Sequence, residues 1–83
     1  MTASKSVIEG WLRDEEAKGC THMIVFYESY DGIDYRRYVK KGQKVQDVID
    51  KEMEYGNTTR VMEIYNFSMD LQDQLDAKRV WNI

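Results

Sequence analysis

THMIVFYESYDGIDYRRYV, Thr21 to Val39, decides how this chain folds. Two runs rich in β-branched and aromatic residues flank Asp31-Gly32, and Asp-Gly between strand-like runs is a strong hairpin signal. In the first run His22, Ile24 and Phe26 point one way, and Met23, Val25 and Tyr27 the other. Both faces are apolar at the centre, which predicts an interior strand. Asp34 to Val39 forms the returning strand, and Lys40-Lys41-Gly42-Gln43 ends it.

On the N-terminal side a helix is expected. Ser6 and Glu9 have capping-box spacing, with Ser4 as an alternative cap. Val7, Ile8, Trp11 and Leu12 share one face, Arg13 to Glu16 fall mostly on the other, and Gly19 supplies the stop. On the C-terminal side the period lengthens from Val45. Val45, Val48, Ile49 and Met53 make one stripe, closed by Tyr55-Gly56-Asn57. TTRVMEIYNFS, Thr58 to Ser68, reads as a third strand, although Val61-Met62 and Ile64-Tyr65 also fit a helix. Ser68 or Asp70 caps a last short helix carrying Leu71 and Leu75. Val80, Trp81 and Ile83 are too apolar to hang free; they dock on the core, add a strand or meet another copy.

The predicted order is α-β-β-α-β-α in a single domain, residues 1–83. The class is α+β, with a three-stranded, mainly antiparallel sheet and the helices packed on one face. Such a sheet leaves its other face open, and the tyrosine-rich hairpin would serve that side.

Size and charge limit the function. A chain of 83 residues buries only about 60–65% of its unfolded surface, so a sizeable ligand must sit on the surface, in a shallow groove or between subunits. A net charge of −3 argues against a coat for nucleic acid. One cysteine, Cys20, permits no internal disulfide framework and fits a reducing compartment. The N-terminus turns charged too early for a signal peptide, and no apolar run reaches membrane-spanning length. A cytoplasmic protein without membrane attachment is expected.

No metal site or cofactor is expected, because Cys20 and His22 are the only soft ligands. Cys20 with His22 also resembles a thiolate–imidazole pair, but it lacks an orienting group, and a buried structural cysteine is the commoner outcome. Asp31 and Asp34 flank a turn, where carboxylates usually bond backbone. No glycine-rich phosphate loop is present. Arg36, Arg37, Lys40, Lys41 and Lys44 form the basic concentration, interleaved with tyrosine as in single-strand binders, yet the element order does not match the usual RNA-binding folds.

The hairpin itself is the candidate surface. Four of the six tyrosines, Tyr27, Tyr30, Tyr35 and Tyr38, lie within twelve residues. Tyrosine combines a large apolar face with a polar tip, and arginine offers a planar fork for carboxylate or phosphate. Cross-strand tyrosine pairing that only stabilises the hairpin is the competing reading.

Across GCTHMIVFYESYDGIDYRRYV (19–39) and RVMEIYNFSMDLQDQL (60–75), the chain resembles a family of small proteins from bacteria and their phages. The shared pattern is the Thr21–Val25 strand, Asp34-Tyr35 with Tyr38-Val39, the Arg60–Glu63 segment and Asp70–Leu75. Arg36-Arg37 departs from it, so a role resting on those arginines belongs to this protein, while His22 gains weight by lying inside the shared strand.

The resemblance, the small size and the tyrosine cluster together imply a non-enzymatic binding protein, a phage or mobile-element counter-defence factor. It would form homo-oligomers and sequester a nucleotide-type ligand through His22, Tyr27, Tyr30, Tyr35, Arg36, Arg37 and Tyr38. Inhibition of a host protein through the same surface is the alternative, and a small enzyme using His22 a further one.

Overall fold

The computed structural model describes residues 4–54, 58–77 and 80–83. Helix α1, Lys5–Leu12, is capped by Ser4, whose Oγ accepts from the Val7 amide at 3.3 Å. The helix does not run on to Gly19. It breaks at Arg13, and Asp14 caps a separate 3₁₀ turn, Glu15–Ala17, by accepting from the Glu16 amide at 3.0 Å. An aspartate two residues past Leu12 offers the backbone a local bond that competes with helix continuation. Gly19 then takes a left-handed φ of 77° and starts the sheet.

Strands β1, Cys20–Glu28, and β2, Ile33–Lys40, form the hairpin, and Gly32 at φ 67° closes its loop as its amide donates to the Glu28 carbonyl. Helix α2, Val45–Met53, follows; the closing residues expected at 55–57 lie outside the described residues. Strand β3, Thr59–Asn66, resolves the choice between strand and helix in favour of strand. Helix α3, Leu71–Asp76, is capped by Asp70 rather than Ser68. The sheet order is β2-β1-β3, with both pairings antiparallel.

The α+β class, the element order and the central position of β1 are as the sequence predicts. The distribution of the helices differs. Ile8 and Leu12 of α1 and Leu75 of α3 pack with Met23, Val25 and Tyr65 on one face of the sheet. Val45 and Ile49 of α2 pack with Ile24, Phe26, Val39 and Ile64 on the other. The reason is written in β1: Met23, Ile24, Val25 and Phe26 are at most 1% exposed, so each face needs its own cover. Each such side chain taken from water contributes roughly 1.5–3 kcal/mol, too much to leave one face bare.

A bulge in β3 makes this two-faced core possible. Val25 pairs with Glu63 and Phe26 with Val61, so Met62 is the extra residue. Without it Val61 and Glu63 would share a face. With it Val61 joins the α2 cluster, and Glu63 falls on the α1 side beside Tyr65.

The C-terminal segment adds a short parallel strand to β3. The Ile64 amide donates to the Val80 carbonyl at 2.8 Å, and the Asn82 amide to the Ile64 carbonyl at 3.0 Å. Val80 is buried in the α1–α3 cluster, while Trp81 and Ile83 stay exposed. This pairs the outer edge of β3 at Ile64, and β2 is the other edge of the sheet.

Candidate functional site

The predicted site residues divide between the two faces of the hairpin. Tyr35 and Arg37 lie toward α2, and Arg36 and Tyr38 toward α1, as alternation along β2 requires. The Tyr35 ring stacks on Phe26 at 5.4 Å, and the Arg37 guanidinium stands 5.0 Å from the same ring. Arg37 Nε also pairs with Glu52 of α2 at 3.3 Å. On the opposite face the Tyr38 hydroxyl donates to the Trp11 carbonyl at 2.6 Å and accepts from Arg36 Nε at 3.0 Å. The Arg36 guanidinium lies 5.2 Å from the Trp11 ring, with Asp14 and Glu16 each 3.9 Å from its Nη2. Burial raises the pKa of both the Tyr35 and the Tyr38 hydroxyls.

Three predicted residues stand apart from this group. Tyr27 is half-buried near the end of β1, and Tyr30 sits at the hairpin tip, 86% exposed. His22 lies at the other end of β1, opposite Val39 and Asn66. Its Nδ1 is 2.9 Å from Thr21 Oγ1, its Nε2 is buried without a hydrogen-bond partner, and burial lowers its pKa. Cys20, considered as its partner, donates its thiol to the Glu16 carbonyl. Among the described residues, no group of three or more His, Cys, Asp or Glu side chains is placed to hold a metal ion. None of the described helices is long and apolar enough to cross a membrane.

What the hairpin does present is an edge. The Thr21 carbonyl and the Ser29 amide of the β1 segment both bond toward the β3 side. By alternation, odd-numbered residues of β1 turn their backbone to β3 and even-numbered ones to β2. Their partners Ile33, Tyr35, Arg37 and Val39 therefore spend their N–H and C=O groups on β1. Arg36 and Tyr38 turn theirs away from the sheet. Two side chains already lie along that edge: Arg37 Nη1 donates to the Arg36 carbonyl at 3.0 Å, and Gln43 Oε1 accepts from the Lys40 amide at 2.9 Å.

Two grooves flank the edge, and Arg37 and Tyr38 line both. The α2-side groove, about 680 Å³, has Ile33, Tyr35 and Val48 among its lining, with Glu28, Asp31 and Glu52 around them. The α1-side groove, about 460 Å³, is completed by Glu16, Arg36 and Lys40. Sequence reasoning picked out Arg36, Arg37, Tyr35 and Tyr38, but missed Lys51, Glu52 and Val48. Those residues come from α2, and only its packing on that face of the sheet brings them to the hairpin.

No protein-family model, curated protein or solved structure matches this chain.

Proposed function

We propose that this protein is a non-enzymatic binding module that takes an extended segment of a partner protein along the β2 edge. The observation that carries this is the ridge-and-groove arrangement, an outward-turned strand backbone at Arg36 and Tyr38 with a groove on either side. In strand addition, main-chain hydrogen bonds supply affinity, and pockets on alternate sides select the side chains.

A nucleotide held by tyrosine stacking is less well served. The Tyr35 ring has Phe26 stacked on it and Arg37 beside it, and Tyr38 shares its surroundings with Arg36 and the α1 backbone. Tyr30, 86% exposed at the hairpin tip, stands away from this group. Partner binding through the hairpin surface thus keeps Arg36, Arg37 and Tyr38 in the site and gives up the stacking role of the phenols.

Arg36→Pro tests the proposal. It removes an outward amide and leaves the ladder to β1, a position where a strand tolerates proline. Arg36→Ala removes the guanidinium and keeps that amide, so the pair separates the two. Peptides selected from a random display library against the wild-type protein should lose binding to a folded Arg36→Pro variant. Selected peptides that bind both proteins equally would contradict strand addition.

A further inference from the structure

Resting on that reading, we infer that the segment taken up by β2 alternates acidic and apolar residues and comes from another protein, not from a second copy of this chain. The two grooves differ in chemistry. The α1-side groove is lined by Arg36 and Lys40, with Arg37 reaching it across the edge from the α2 face, against Glu16 and, 3.9 Å from Arg36 Nη2, Asp14. The α2-side groove sets three carboxylates, Glu28, Asp31 and Glu52, against Arg37 and Lys51, around the apolar surface of Ile33, Tyr35 and Val48.

An added strand sends successive side chains to opposite faces. One parity of the incoming segment meets the cationic groove, and carboxylates there gain charge-assisted hydrogen bonds from guanidinium and ammonium groups. The other parity meets the groove with the apolar surface, where a carboxylate would face Glu28, Asp31 and Glu52. An aliphatic side chain suits that groove and an acid does not. Acid and apolar residue must therefore alternate, rather than merely both be present.

The same arginines disfavour a second copy. Antiparallel self-pairing centred on the middle of β2 sets Arg36 against its own counterpart, or Arg37 against its own. Like charges directly opposite are destabilising. Cationic residues on an edge strand are a common guard against edge-to-edge association, and here they also choose the sign of an acceptable partner.

The probe is an end-blocked synthetic peptide alternating Glu and Val. It is compared with a shuffled peptide of the same composition and with an alternating peptide N-methylated at every second residue. Amide NMR of the whole chain follows each titration. The alternating peptide should shift β2 amides and bind about tenfold or more tightly than the shuffled one. The N-methylated peptide should not bind, and Lys40→Glu, at an exposed position, should weaken the alternating peptide. Equal affinity for shuffled and alternating peptides, with shifts still on β2, overturns the alternation and leaves strand addition standing. Shifts absent from β2 with every peptide overturn both, and a stable dimer whose interface is β2 overturns the choice of a foreign partner.

Discussion

The side-chain amide of Gln74 closes on the backbone of Asn66 from both ends. Its Oε1 accepts from the Asn66 amide at 2.8 Å, and its Nε2 donates to the Asn66 carbonyl at 2.9 Å. Gln74 is 3% exposed, and its Oε1 also accepts from Asn82 Nδ2 at 2.9 Å. One buried side chain thus ties α3 to the end of β3 and to the C-terminal strand. Loss of a partner for a buried polar group costs about 1–3 kcal/mol, and several groups are involved here. Gln74→Ala should destabilise the domain by at least about 2 kcal/mol in chemical denaturation. It should also speed hydrogen exchange at the Ile64 amide, which the C-terminal strand covers. Unchanged exchange at Ile64 would mean that Gln74 does not hold that strand.

Tyr38→Phe separates the structural from the binding use of this tyrosine. The hydroxyl joins Trp11 of α1 to Arg36 of β2 and is half-buried, so its removal should cost about 1 kcal/mol. The edge backbone remains, so peptide binding should persist. Loss of binding with unchanged stability would assign the hydroxyl to the partner instead.

Glu63 is a carboxylate in an unfavourable place. Burial on the α1 face raises its pKa above the usual 4.5, and Asp34 adds to the rise, while the Tyr65 hydroxyl, donating at 3.1 Å, offsets part of it. A raised folded-state pKa means that the stabilising contribution is fully present below the unfolded value and is lost as pH rises through the folded one. Glu63→Gln should therefore raise the melting temperature at neutral pH, with the gain shrinking as the solution is acidified toward about pH 4. A variant less stable at neutral pH would show that the charged form is held by the fold.

His22 titrates with the opposite sign. Its folded pKa lies below the ordinary 6.5 because burial disfavours the imidazolium, and its Nε2 has no acceptor to meet a second proton. Its contribution is present above the unfolded value and is lost as pH falls through the depressed folded one. Denaturation midpoints should fall between about pH 7 and pH 5, and His22→Gln should flatten that part of the profile. An equal slope in the variant would locate the titrating group elsewhere.

The fold was legible where one periodicity ruled a segment. The double-faced apolar run Met23–Phe26 marks a central strand, and Val45, Val48 and Ile49 mark α2. The same run already required two covered faces, yet the tyrosines of β2 suggested an open one. Alternation sends Tyr35 and Tyr38 under helices on opposite sides, and each spends its ring or hydroxyl there. β3 was ambiguous because the bulge at Met62 breaks its period of two, and a bulge has no local sequence signature when neither residue is glycine. Gln74 was invisible, since a glutamine in a polar helix looks solvated until β3 and the C-terminal strand close over it. For the candidate site, sequence alone gave the residues of β2 but not the groove walls contributed by α2 and Glu16.

Site-resolved hydrogen exchange at Arg36 and Tyr38, with and without the alternating Glu–Val peptide, tests the central claim most directly. In the free protein these two amides should exchange fast while Tyr35, Arg37 and Val39, which bond to β1, stay protected; peptide should then slow Arg36 and Tyr38 selectively. Slow exchange at Arg36 and Tyr38 before any peptide is added, or no change on its addition, would contradict an edge built to receive a strand.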